Sequence, residues 1–103
     1  MIYILAIITT KPGRRAEVLD LVRKNTELVR AEDGCIEYQP LIDSDSSRCK
    51  FGGDTFVVAE KWRDLSALAA HRTAAHMLVY IDRTKDLIVN RAIHEMRQES
   101  ANG

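Results

Sequence analysis

The sequence predicts an α+β fold: four strands and two helical connections in the order βαββαβ, giving one antiparallel sheet with its helices on one face. Two observations lead there. Four apolar or alternating segments have the character of strands, and the long segment between the first two repeats with a helical period. The connection before the last strand then holds two further helix starts, so the second helical layer is expected in two pieces. A chain of 103 residues is one domain by length and can bury a modest core; we place that domain at 1–97, with a polar tail at 98–103.

Ile2 to Ile8 is an unbroken apolar run rich in β-branched residues, as in a strand covered on both faces. Thr10-Lys-Pro-Gly13 ends it with turn chemistry and opens a helix. From Arg14 to Glu32, Val18, Leu21, Val22, Leu28 and Val29 recur at helical spacing, and Arg15, Glu17, Lys24, Glu27 and Arg30 take much of the remaining surface. Asp33-Gly34 stops this helix. Cys35 to Asp43 is the second strand, with Ile36, Tyr38 and Ile42 expected on one face and Glu37 and Gln39 on the other. Pro40, lacking an N–H, marks an edge or a bulge. The polar segment from Ser44 to Asp54 is longer than a hairpin needs, and loops of that kind often border sites.

Thr55 to Trp62 is the third strand, presenting Phe56, Val58, Glu60 and Trp62 on one side. Asp64 is the expected N-cap of a short helix from Leu65 to about His71, and Thr73 that of a second from Ala74 to about Lys85. Leu87 to Met96 closes the sheet. Right-handed crossovers place both helical layers on the same face. The opposite face should then be polar, yet the first strand has no polar phase, and Val57 and Ala59 are apolar on the phase opposite Val58. A homodimer packed sheet against sheet would cover that surface.

Fifteen basic residues balance fifteen acidic ones, which argues against nucleic acid or an anionic membrane as partner, since both require clustered Lys and Arg. The longest apolar run is too short to span a bilayer and follows no basic stretch, so a cytoplasmic location is expected. Cys35 and Cys49 are expected to be two free thiols.

The segment Leu68-Ala-Ala-His-Arg-Thr-Ala-Ala-His-Met-Leu78 sets two histidines among alanines. Zinc-binding pairs on a helix stand four apart and need a third protein ligand. His71 and His76 are five apart across an expected break at Arg72-Thr73, and His94 lies on another strand, so no metal is expected. The alanines are instead expected to leave room for a flat organic ring. His71 and His76 are candidates for a general base and its orienting group, imidazole being the side chain tuned nearest neutrality. Alternatively, either ring fastens the break by bonding a backbone carbonyl. Glu60, in an apolar row, is either paired with Lys61 or Lys50 or held at a raised pKa. Trp62 and Tyr38 are read as core rings or as pocket walls, and Cys35 as a small buried residue.

In their order and spacing, Pro12-Gly13, Glu32-Asp-Gly-Cys35, Tyr38, Glu60-Lys-Trp62, Leu68-Ala-Ala-His71 and His76-Met77 resemble the antibiotic biosynthesis monooxygenase family, a branch of the dimeric α+β barrels with a ferredoxin-like protomer. The stretches EDGCIEYQPLID, AEKWRDLSALAAH and AAHMLVYI are most similar to its small bacterial quinol monooxygenases. The resemblance implies oxidation of a quinol or polyphenol by dioxygen without a cofactor. It fits the absence of a GxGxxG or Walker-type loop. Haem-degrading relatives place an asparagine in the first strand and a histidine late in the last helix, where this chain has Ala6 and, near the aligned helix position, Ile81. With the resemblance, His71 and His76 are the preferred catalytic pair, and Tyr38, Trp62 and Glu60 the substrate-binding candidates. The same fold hosts two alternatives: a non-catalytic dimeric ligand binder, and an isomerase of a phosphorylated autoinducer sugar, whose site would need several cations where only Arg72 is obviously placed.

Overall fold

A computed structural model describes residues 1–100, so Ala101–Gly103 of the predicted tail lie outside the described residues. The order is β1 (Ile2–Thr10), α1 (Arg15–Arg30), β2 (Cys35–Leu41), β3 (Thr55–Trp62), α2 (Leu65–Arg72), α3 (Ala75–Thr84) and β4 (Ile88–Met96). The four strands form one sheet in the order β2-β3-β1-β4, with every neighbouring pair antiparallel. This is the α+β arrangement expected from the sequence.

β1 lies between β3 and β4. Helices cover only its inner phase, and the apolar Leu5 and Ile7 of its other phase lie on the outer face of the sheet, so the strand is not covered on both faces within one chain. Ile4, Ala6 and Ile8 point inward beside Phe56, Val58 and Trp62 of β3, all buried. Val18, Val22 and Val29 of α1 close over them. Burying such aliphatic side chains contributes roughly 1.5–3 kcal/mol each. The buried hydroxyls of Thr26 and Thr84 donate to the carbonyls of Val22 and Tyr80 one helical turn back, so neither burdens the core with an unmet polar group.

Four local expectations need correction. α1 is shorter than Arg14–Glu32, because Ala31 already caps it and Gly34, at φ 84°, turns the chain away. In β2 the register shifts between Cys35 and Glu37, so Ile36 bulges out of phase with Tyr38 and is 51% exposed. Ile42 lies past the end of that strand and is exposed as well. Pro40 does sit in an edge strand, where a missing N–H is tolerated. Asp64 caps α2 as expected, its carboxylate accepting from the Ala67 N–H at 2.9 Å. Thr73 does not cap α3. Its backbone belongs to the end of α2, so its hydroxyl turns back to the Ala70 carbonyl, and Ala74 opens α3 without a side-chain cap.

The outer face of the sheet carries Leu5, Ile7, Leu41, Val57 and Ala59, with Leu5 37% exposed. Among the described residues no helix is long and apolar enough to cross a membrane.

Candidate active site

The turn after α1 is fixed before any site residue is added. Arg63 N–H donates to the Gly34 carbonyl at 2.8 Å, and the Arg63 guanidinium grips both oxygens of Asp33 at 3.1 Å. The stapled turn places Glu32, two residues before Gly34, beneath the break between α2 and α3. One oxygen of Glu32, Oε2, then accepts from His71 Nδ1 and from His76 Nε2, both at 2.8 Å. An unbroken helix would set residues five apart about 140° around its axis. The break, at Thr73-Ala74 and so one residue later than expected, is what lets both rings reach a single carboxylate oxygen.

A carboxylate only accepts, so each of these bonds assigns the proton to the nitrogen facing Glu32. His71 Nε2 is left on the opposite side, 4.0 Å from Glu60 Oε1. The imidazole of His71 is buried between the Trp62 ring, centroids 4.5 Å apart, and the Tyr38 ring, edge-on at 5.9 Å. Its orientation is thus set by two aromatic rings and one charge-assisted bond.

Glu60 is not paired with lysine. Lys61 lies on the other face of the strand, over the Tyr3 ring, and Lys50 donates to the Asp45 carbonyl. The Trp62 indole N–H donates to Glu60 Oε1 at 2.9 Å. Burial pushes the Glu60 carboxyl above its ordinary range, partly offset by that bond and by His71. Burial likewise pushes up the Tyr38 phenol, with the Glu60 carboxylate adding to it. The Cys35 thiol is raised by burial and then by Glu32 and Glu60, the opposite of what activates a nucleophile.

Tyr38, Glu60 and His71 form one end of a cavity of about 300 Å³ between the sheet and the helices. Ile4, Ala6, Ile8 and Val58 make its floor, and Leu68 and Met77 its roof. The room does not come from the alanines around the histidines: Ala69, Ala70 and Ala75 are exposed, and Ala67 packs where Gly34 approaches. It comes from Ala6, small at the centre of the sheet floor. Of the candidates, His71, Glu60 and Tyr38 line the cavity. His76 lies outside it, beyond Glu32, and Trp62 is completely buried behind His71 and Glu60 rather than in the wall. Glu32, Tyr80 and Arg91 were not singled out as site residues from the sequence. Only Glu32 carried a signal, an acid at a helix end just before the glycine stop. Among the described residues no group of three or more His, Cys, Asp or Glu side chains is arranged to hold a metal ion.

Fold and site together define an α+β domain with a largely aliphatic cavity beside a cluster of imidazoles and carboxyls. The chain belongs to the antibiotic biosynthesis monooxygenase family, whose model matches residues 1–83. It is 34% identical over 89 residues to an Escherichia coli K12 protein named "Probable quinol monooxygenase YgiN", covering 82% of this chain and 86% of that one. Among solved structures it is similar to PA3566 from Pseudomonas aeruginosa, with TM-score 0.82 and 27% identity over 96% of this chain and 94% of the other. The fold is shared with Rv0793 from Mycobacterium tuberculosis, with TM-score 0.82 and 24% identity over 99% and 98% of the two chains.

Proposed function

We propose that the protein is a cofactor-independent monooxygenase that oxidises a quinol or polyphenol-like aromatic with dioxygen. The observation that carries this reading is the setting of His71: Nδ1 fixed on Glu32, and Nε2 free on the side of Glu60 at the end of an apolar cavity. A phenolic hydroxyl seated there gives its proton to Nε2, and Glu32 balances the imidazolium that forms. His76 orients Glu32 from the far side, while Trp62 holds Glu60. Tyr38 and Glu60 contact the substrate.

The phenolate supplies the electrons. It passes one to dioxygen, the radical pair combines at a ring carbon, and the resulting hydroperoxide loses water to leave a hydroxyquinone. One oxygen atom stays on the ring and the other departs as water. The aliphatic walls serve this chemistry by keeping solvent from the intermediates.

The working unit in this proposal is a homodimer joined through the outer face of the sheet. The exposed apolar row from Leu5 to Val57 supports it. We place the protein in the cytoplasm, where free thiols such as Cys35 and Cys49 persist. A phosphosugar isomerase is less well supported, because the walls are aliphatic and Arg72 is already paired with Glu95 at 3.2 Å.

The test is oxygen uptake by the purified, metal-free protein given menadiol and related hydroquinones. Uptake well above the buffer blank is expected, and it should be lost in a His71→Ala, His76→Ala double variant. Uptake equal to the blank with every quinol would overturn the oxygenase and leave the ligand binder.

A further inference from the structure

The cavity has a second end that the oxidation itself does not use. Paired residues across β1 set its direction. Glu60 stands opposite Ile4, whereas Arg91 of β4 stands opposite Ile8 on the same inward face. The two are four residues apart along β1, roughly 13 Å of strand, and lie on opposite sides of it. The cavity therefore runs diagonally across the sheet, from the Glu60 and His71 end to an Arg91 and Tyr80 end.

The far end is chemically distinct. Arg91 is half-buried and donates through Nη2 to the buried Thr84 hydroxyl at 3.2 Å, which tethers it to the end of α3. No carboxylate among the described residues stands within ion-pair distance of it, in contrast to Arg72, which Glu95 neutralises. A guanidinium has five N–H donors and keeps its charge at any working pH. Beside it, the Tyr80 phenol has no hydrogen-bond partner among the described residues. The Arg91 charge is close enough to oppose the upward push that burial gives that phenol. A cation and a hydroxyl facing an apolar cavity make a receptor for an anion.

We propose that the Arg91 and Tyr80 end of the cavity is an anion subsite, and that the preferred ligand is a flat, two- or three-ring phenol carrying a carboxylate opposite the hydroxyl that His71 faces. The polarity of the ligand follows from that of the cavity. A carboxylate at the Glu60 end would meet like charge, so the hydroxyl goes there and the anion goes to Arg91. Aliphatic walls cover the rings between them. The choice of hydroxyl end rests on the oxygenase reading above, whereas the anion subsite itself is open to a test by binding alone.

The experiment compares two stable probes by isothermal titration calorimetry at neutral pH: 6-hydroxy-2-naphthoate, with hydroxyl and carboxylate at opposite ends, and 2-naphthol, which lacks the carboxylate. The naphthoate is expected to bind roughly tenfold tighter or better, the effect of a partly desolvated charge-assisted pair. Arg91→Gln should bring the ratio of the two affinities close to one, and Arg91→Lys, which keeps the charge but not the fork, should leave an intermediate ratio. Equal affinities in the natural protein, no binding of either probe, or a preference that survives Arg91→Gln would each overturn the subsite. Menadiol oxidation with equal naphthol and naphthoate affinities removes the subsite and leaves the oxygenase. A preference that depends on Arg91, without oxygen uptake from any quinol, supports the subsite and removes the oxygenase.

Discussion

Glu60 Oε1 and His71 Nε2 stand 4.0 Å apart at the end of the cavity. That is too far for a hydrogen bond between them, and close enough for one inserted oxygen atom to touch both. A phenolic hydroxyl seated in the gap donates to His71 Nε2 and lies against Glu60. Replacing His71 with alanine removes the base but leaves Glu60 held by Trp62. The variant is expected to stay folded and to lose roughly 10²–10⁴-fold in kcat/KM for quinol oxidation. Stopped-flow oxidation under air, with circular dichroism as the check on folding, reads both. A loss under tenfold would remove His71 from the base role.

The raised Glu60 carboxyl makes a prediction about stability that needs no substrate. Its pKa in the folded protein lies above its ordinary 4.5, chiefly because of burial. The favourable balance is therefore complete below 4.5 and is lost as pH rises through the folded value, where the native state must hold a buried charge. Glu60→Gln keeps an acceptor for the Trp62 N–H and never ionises. Its urea midpoint relative to the natural protein should accordingly rise between about pH 4 and pH 7. A constant difference across that range would show that the carboxyl is not perturbed.

The strands, both short helices and, to within one residue, the break between them were legible because each depends on local pattern: a β-branched run, alternation in β3, an Asp64 cap. The convergence at Glu32 was not. It requires the turn after α1 to meet the α2–α3 break, a contact between residues 39 and 44 positions apart in sequence. Tyr80 and Arg91 escaped for the same reason, since only the β1–β4 register puts Arg91 on the floor side next to Ile8. Tyr38 and Glu60 were visible because an aromatic or an acid in an inward phase already stands out along one strand. The alanines misled, because small size in sequence does not say which way a helix faces.

Gly34 tests the staple that places Glu32. At φ 84° a side chain is strained, and a Cβ there would overlap the Cβ of Ala67. Gly34→Ala is expected to destabilise the fold by at least ~2 kcal/mol, the left-handed conformation alone costing roughly 1–2. Because the overlap pushes α2 from the turn, the His71–Glu32 bond should loosen and quinol oxidation should fall along with stability. Thermal unfolding gives the first quantity and initial rates the second. A Tm within 2 °C of the natural protein would mean that the turn relaxes without cost.

The outer sheet face makes the last prediction. Leu5 and Ile7 of β1 lie beside Ala59 and Val57 of β3, all on the surface away from the helices. In an isolated chain an arginine at position 5 would extend into water and disturb little. Across a sheet-to-sheet interface the same arginine meets an apolar copy of this face and must be desolvated without a partner, at a cost of several kcal/mol. The natural protein is expected to sediment at the mass of two chains and Leu5→Arg at that of one, with an unchanged circular dichroism spectrum. The cavity lies on the opposite face, so the monomeric variant should still bind 2-naphthol. A natural protein that sediments as a single chain at micromolar concentration would refute the dimer. A Leu5→Arg variant that sediments as two chains would place the interface elsewhere on the molecule.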